Sequence, residues 1–269
     1  MLPSQKYRRL SKVVLAFLLI TAAISTKAQG KLEAYERKLY IQNNDTLPYR
    51  ILYPKNFDSS KEYPLVLVLH GAGERGDNNE AQLVYGADLF LEKQEEYPAI
   101  VVFPQCPKDS YWSNVNIVPD ENGKRMFNFR RGGKPTAAMD NLLGLLGDLK
   151  DADYVDKERI YVGGLSMGGM GTFEILRRKP NTFAAAFPVC GGAAPATARK
   201  FAKKVPLWVF HGEVDSVVPV EHSLVMAKAI EKAGGEAKLT VYPGVDHNSW
   251  VNAFNEPELL PWLFTHQKK

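Results

Sequence analysis

From residue 30 onward the chain alternates short, continuously apolar, β-rich runs with stretches of helical period, a rhythm that calls for a mostly parallel sheet covered by helices on both faces. A continuous apolar run marks a strand buried on both sides, whereas a sheet with one wet face shows strict alternation. Leu65–Leu69 and Ala99–Phe103 are such runs, followed by Arg159–Gly163, Phe183–Val189, Pro206–Phe210 and Ala237–Tyr242. Helical patterns lie between them at Asn79–Lys93, Pro135–Lys150, Met167–Arg178, Val220–Ala233 and Asn248–Thr265, with Gly234-Gly235 closing one of them. Glu33–Gln42 and Leu47–Tyr53 flank the turn-prone Asn43-Asn44-Asp45 and predict an antiparallel hairpin at one sheet edge. The segment Lys108–Lys134 holds aromatic, Asn and Arg residues without a period and reads as a long insertion loop, of the kind that serves function in compact domains.

The first 28 residues stand apart. They carry Lys6, Arg8, Arg9, Lys12 and Lys27 and no acidic residue, then an apolar run from Val13 to Ile24 and the small residues around Thr26-Lys27-Ala28. This is the pattern of a secretory signal (residues 1–28) cleaved after Ala28, with an apolar run too short to span a bilayer, so no stable membrane anchor is expected after cleavage. The remaining 29–269 are expected to form a single domain. The formal charge of +4 comes from those five basic residues; without them the balance is slightly acidic, which removes any case for nucleic acid as a partner. The pattern singles out no oligomerisation surface.

The chemistry centres on Gly164-Leu165-Ser166-Met167-Gly168, a Gly-x-Ser-x-Gly string directly after a buried strand and directly before a helix. The string alone is modest evidence; its position gives it weight. A nucleophile on a sharp strand-to-helix turn needs glycines beside it so that backbone and helix can approach closely. Serine also needs a base held by a third group. His247 follows the last strand in Gly244-Val245-Asp246-His247 and is the best placed of the five histidines; His70, His211, His222 and His266 are less well placed. Asp215, on the loop after the preceding strand, is the first choice to orient it and Asp246 the second. The Gly-rich turn His70-Gly71-Ala72-Gly73 can offer the Ala72 N–H as an oxyanion donor, with the Met167 N–H as the other.

Together these residues resemble the α/β-hydrolase superfamily. Leu69-His70-Gly71-Ala72-Gly73-Glu74-Arg75-Gly76, Pro104-Gln105-Cys106-Pro107, Tyr111-Trp112 and Gly164-Leu165-Ser166-Met167-Gly168-Gly169 are more specifically similar to the esterases related to polyhydroxybutyrate depolymerases and feruloyl esterases, also labelled carboxylesterase, phospholipase or prolyl-oligopeptidase-like. The resemblance implies an α/β-hydrolase fold with an eight-stranded sheet in the order 1-2-4-3-5-6-7-8 and helices on both faces. It implies ester hydrolysis through an acyl-serine intermediate without cofactor or metal, with Ser166 as nucleophile, His247 as base, Asp215 as its orienter, and Ala72 and Met167 as oxyanion donors. Small-molecule or polysaccharide-linked esters, acetyl or feruloyl, are the implied substrates of an exported enzyme in the periplasm or secreted. A prolyl-oligopeptidase-type peptidase and a non-catalytic binding protein on the same fold are the alternatives.

In that strand order Cys106 and Cys190 follow strands three steps apart, roughly 14 Å, beyond the span of a disulfide, so two free thiols are expected. Trp112 is read as an aromatic wall for an acyl or sugar group, with loop packing as the competing role. Arg125, Arg130 and Arg131 read as a solvated loop face, with recognition of an acidic substrate group as the alternative.

Overall fold

The computed structural model describes residue 30 and residues 33–268. The expected signal segment lies outside the described residues. One eight-stranded sheet runs through the molecule, built from β1 (Glu36–Gln42), β2 (Asp45–Leu52), β3 (Tyr63–Leu69), β4 (Ile100–Pro104), β7 (Val155–Leu165), β8 (Ala185–Val189), β9 (Leu207–Gly212) and β10 (Ala237–Tyr242). The spatial order is β1-β2-β4-β3-β7-β8-β9-β10, which is 1-2-4-3-5-6-7-8 when only these strands are numbered. β1 and β2 pair antiparallel, as do β2 and β4, and every pairing from β4 to β10 is parallel. Asn43 and Asn44 both take positive φ, 51° and 62°, which is what a tight hairpin between β1 and β2 requires.

The continuous apolar runs divide by alternation between two cores. Leu65, Leu67 and Leu69 of β3 face one side with α2 (Ala137–Asp151), and Val66 and Val68 face the other with α1 (Ala87–Lys93), α5 (Trp250–Phe254) and α6 (Leu259–Phe264). α3 (Met167–Arg178) and α4 (Glu221–Lys232) pack with α2 on the first face. Thr136 caps α2 by accepting the Met139 N–H.

Four elements differ from expectation. Lys108–Lys134 is not a loop: β5 (Val115–Pro119) and β6 (Arg125–Phe129) form a separate two-stranded antiparallel sheet. Its turn is held by the Asp120 carboxylate, which accepts the N–H groups of Asn122 and Lys124, with Gly123 at φ 78°. The expected helix Asn79–Lys93 starts as a 3-10 turn at Ala81–Leu83 and becomes α1 only after Gly86, whose φ of 84° breaks the helical path. Asn248–Thr265 is two helices, α5 and α6, separated around Pro257, which cannot continue a helix interior. β7 begins four residues earlier than the apolar run, because a register shift between Tyr63 and Leu65 of β3 lets its polar start, with Arg159 bound to Asp156, extend beyond the core.

α3 is anchored by charge as well as by apolar packing. Glu174 is buried and accepts from Arg177 through both oxygens, at 2.7 and 2.5 Å, and from Arg178 at 2.8 Å. Removing the carboxylate leaves the buried Arg177 charge unpaired, so Glu174→Ala should destabilise the fold by about 3 to 5 kcal/mol. Urea unfolding of the variant beside the parent measures this.

Candidate active site

Ser166 sits in the one-residue turn between β7 and α3 with φ 52° and ψ −113°. Such a backbone costs a non-glycine residue about 1 to 3 kcal/mol and persists only where the surroundings enforce it. Here the Ser166 N–H donates to the Val189 carbonyl at 2.9 Å, and the Ser166 carbonyl accepts the Met170 N–H at 2.9 Å. The glycines explain how the helix reaches that position. A Cβ on Gly164 would lie 2.5 Å from the Leu69 carbonyl oxygen, and one on Gly168 only 1.9 Å from the same atom. On Gly169 it would meet the Val189 carbonyl oxygen at 2.4 Å. The start of α3 therefore rests directly on the ends of β3 and β8.

Three side chains meet at this edge. Ser166 Oγ lies 2.9 Å from His247 Nε2, and His247 Nδ1 lies 2.8 Å from Asp215 Oδ2. They come from the turn after β7, the loop after β10 and the loop after β9. The Asp215 carboxyl is fully enclosed, and burial alone would raise its pKa. Hydrogen bonds from His211, His247 and the N–H groups of Val218 and Val217 outweigh that and hold it well below the usual carboxylate range. An ionised, immobile carboxylate fixes the His247 ring with Nδ1–H toward Asp215 and Nε2 free to take the serine proton. The edge of His247 packs on Trp250, with ring centroids 5.3 Å apart. Cys190 Sγ lies within 4.8 Å of ligand atoms of both Asp215 and His247, but burial pushes its thiol pKa up and both His247 nitrogens are already engaged. The cluster is wired for proton transfer rather than for holding a metal.

Facing Ser166 is a cavity of about 290 Å³, whose walls include Gly71, Ala72, Gly73 and Glu74 from the turn after β3. Met167 is the first residue of α3, where backbone N–H groups have no intrahelical acceptor and the helix dipole favours negative charge. Ala72 and Ser166 line this cavity together, and Met167 follows Ser166 directly at the head of α3. His70 braces the turn: its Nε2 accepts the Cys106 N–H at 2.9 Å, so Nδ1 carries the proton and donates to the Gly71 carbonyl at 2.6 Å. Arg75 adds a second brace, donating to the carbonyls of Ala72 and Lys108, with its guanidinium over the Tyr111 ring.

Two sequence-based readings change. Trp112 is not a substrate wall: it is fully buried, packed on α3 where Gly171 has no Cβ to exclude it, with its ring edge on His70. Asp246, the second choice for the acid, instead accepts from the backbone N–H of Ser216 and of His247, pinning the two loops together. Cys106 and Cys190 are both buried free thiols. Of the arginines, Arg125 lines the Ser166 cavity, whereas Arg130 and Arg131 line its neighbour. The reading missed His211, buried with Nε2 3.2 Å from Asp215 Oδ2 and Nδ1 2.7 Å from Ser223 Oγ; its place just before Gly212 at a strand end was visible, its partner was not.

Residues 125–257 match the family model described as Phospholipase/Carboxylesterase. A probable carboxylesterase of Oryza sativa subsp. japonica is 24% identical over 221 residues, covering 78% of this chain and 80% of that protein. A probable feruloyl esterase C of Aspergillus terreus is 26% identical over 233 residues, covering 85% and 76%. Among solved structures, a thermostable esterase superposes with a TM-score of 0.76 at 33% identity; the match covers 87% of this chain and 64% of that one. Strand order, nucleophile turn and these likenesses make the chain an α/β-hydrolase. Within that superfamily it is a serine ester hydrolase, on the side of the carboxylesterases.

Asp215→Asn should preserve the fold and lower kcat by about 10³ to 10⁴, because a neutral amide can hold His247 in the wrong tautomer; steady-state kinetics on a chromogenic ester tests it. His70 yields a pH prediction. Burial lowers its pKa from 6.5 to about 4, so between those values the unfolded chain binds a proton that the native one does not. Stability should therefore fall on acidification from pH 6.5 to 4, by about 3 kcal/mol for this group. His70→Gln should flatten that part of the stability curve.

Proposed function

We propose that the protein is an exported esterase that removes acetyl or feruloyl groups from plant polysaccharides. The observation that carries the chemistry is the unbroken chain from Ser166 Oγ through His247 to Asp215, opening on a cavity walled by Ala72. Ser166 attacks the ester carbonyl while His247 Nε2 takes its proton, and the charge that develops on the carbonyl oxygen is met by the N–H groups of Ala72 and Met167. As the tetrahedral intermediate collapses, His247 returns the proton to the departing alcohol. Water, activated by the same imidazole, then hydrolyses the acyl-serine. Asp215 holds the ring throughout and stays ionised.

The substrate class is supported by the feruloyl esterase relative, and export by the basic and apolar character of residues 1–28. The cavity wall sets Tyr85, Tyr111, Phe127 and Trp250 beside Ser166, a surface suited to a planar or small acyl group.

The test is hydrolysis of p-nitrophenyl acetate, methyl ferulate, acetylated xylan and a prolyl peptide anilide, by the protein and by Ser166→Ala. Turnover of the esters, lost in the variant, is expected. Cleavage of the anilide alone would replace this function with a peptidase, and undiminished ester turnover by Ser166→Ala would refute the assigned nucleophile.

A further inference from the structure

The Ser166 cavity has a neighbour. Residues directly opposed in an antiparallel pair share a face, so Ile117 with Phe127, and Val115 with Phe129, lie on one side of the β5–β6 hairpin. Ile117, Phe127 and Arg125 wall the Ser166 cavity. Phe127 also borders a second cavity, of about 600 Å³, which continues past Phe129 to Arg130 and Arg131. The hairpin thus roofs two adjoining compartments, with Phe127 between them.

The second compartment has a defined chemistry. Phe127 and Phe129 are stacked, with ring centroids 6.1 Å apart and planes 15° from parallel. Each meets the His222 ring edge-on, at 5.5 and 5.3 Å, which fixes their orientation from below. Asn116 and Asn128, paired across the hairpin, also border this cavity, but alternation turns their side chains to the other face of the hairpin. Arg130 and Arg131 have exposed side chains, and among the described residues neither has an ion-pair partner. A flat half-buried aromatic pair and two guanidiniums without an ion-pair partner among the described residues are the groups that would recognise a sugar bearing a carboxylate. The aromatic rings take the apolar ring face, and guanidinium takes carboxylate through paired hydrogen bonds.

We propose that this cavity binds the alcohol part of the ester, and that its ligand is an acidic oligosaccharide with a uronate unit near the esterified sugar. The proposal rests on the polysaccharide-ester function above and adds the charge of the substrate. The compartments divide the work by size: the smaller one beside Ser166 takes the acyl group, and the larger one takes the saccharide that leaves. Positive charge at Arg130 and Arg131 also draws acidic chains toward the cleft, an effect that salt weakens.

The experiment compares two matched acetylated xylo-oligosaccharides, one neutral and one carrying a glucuronate branch, with p-nitrophenyl acetate alongside. At low salt the protein should prefer the acidic oligosaccharide by about tenfold in kcat/KM, expressed mainly in KM. The preference should shrink in about 0.5 M salt, because exposed charges are screened. In Arg130→Ala/Arg131→Ala the ratio of the two substrates should fall to near one, and in Arg130→Glu/Arg131→Glu it should invert. Using a ratio within each variant removes any common loss from folding. Equal cleavage of both oligosaccharides by the parent protein, or an unchanged ratio in the variants, overturns the proposal and leaves the polysaccharide-ester function standing. Turnover of p-nitrophenyl acetate with neither oligosaccharide cleaved overturns both.

Discussion

The start of α3 lies so close to β3 and β8 that no side chain fits between them, and most of the site's geometry is a consequence of that contact. Gly164, Gly168 and Gly169 allow the approach, the Val189 carbonyl takes the Ser166 N–H, and Ser166 is left in a backbone conformation that it would not choose alone. The strain is sustained because the neighbouring strands are buried on both faces and cannot yield. From this position the hydroxyl meets His247 Nε2, and the Met167 N–H follows it at the head of the helix. Larger residues at the three glycines would push the helix away and displace Ser166 together with the Met167 N–H.

Around this fixed point the other groups are held by polar bonds between loops. Asp215 is gripped by two histidines and two backbone N–H groups, so its charge is stabilised although water cannot reach it. His211, in turn bonded to Ser223 of α4, links the acid to the helix layer. Asp246 ties the loop after β10 to that after β9, and His70 ties the turn after β3 to that after β4. Each of these four loops is flexible in principle. The cross-links join them in two pairs, one after β9 and β10 and the other after β3 and β4.

Much of this was legible in the sequence because it depends on patterns that survive without coordinates. Buried parallel strands show as unbroken apolar runs, and a nucleophile turn needs glycines at fixed spacing, so the strands and the grouping of Ser166, His247 and Asp215 could be anticipated, whereas the sheet order was implied only by the resemblance to α/β-hydrolases. Boundaries set by single contacts could not. Gly86 breaks the helical path with its φ of 84°, and a side chain there would strike Phe254, a residue far away in sequence. Trp112 looked like a site residue because it lies at the correct end of the sheet, yet the missing Cβ of Gly171 draws it into the core. The hairpin at 115–129 did carry a signal, alternating apolar residues on either side of Asp120-Glu121-Asn122-Gly123, but its strands are five residues each and sit among polar neighbours. His211 belongs to the hardest class, since its role rests on a hydrogen bond to Asp215, whose enclosure no local pattern announces.

The hairpin also differs from every other strand pair in being joined only to itself. The eight-stranded sheet and the catalytic chain of hydrogen bonds draw no backbone pairing from it. A change in its length or its turn would alter the ceiling above the nucleophile without passing through the strained part of the molecule. Under the proposed function, chemistry and substrate choice are thus carried by separable pieces of one chain: a hydrolytic core built on the large sheet, and an overhanging flap on which new substrate ranges can be tried by insertion, deletion or exchange.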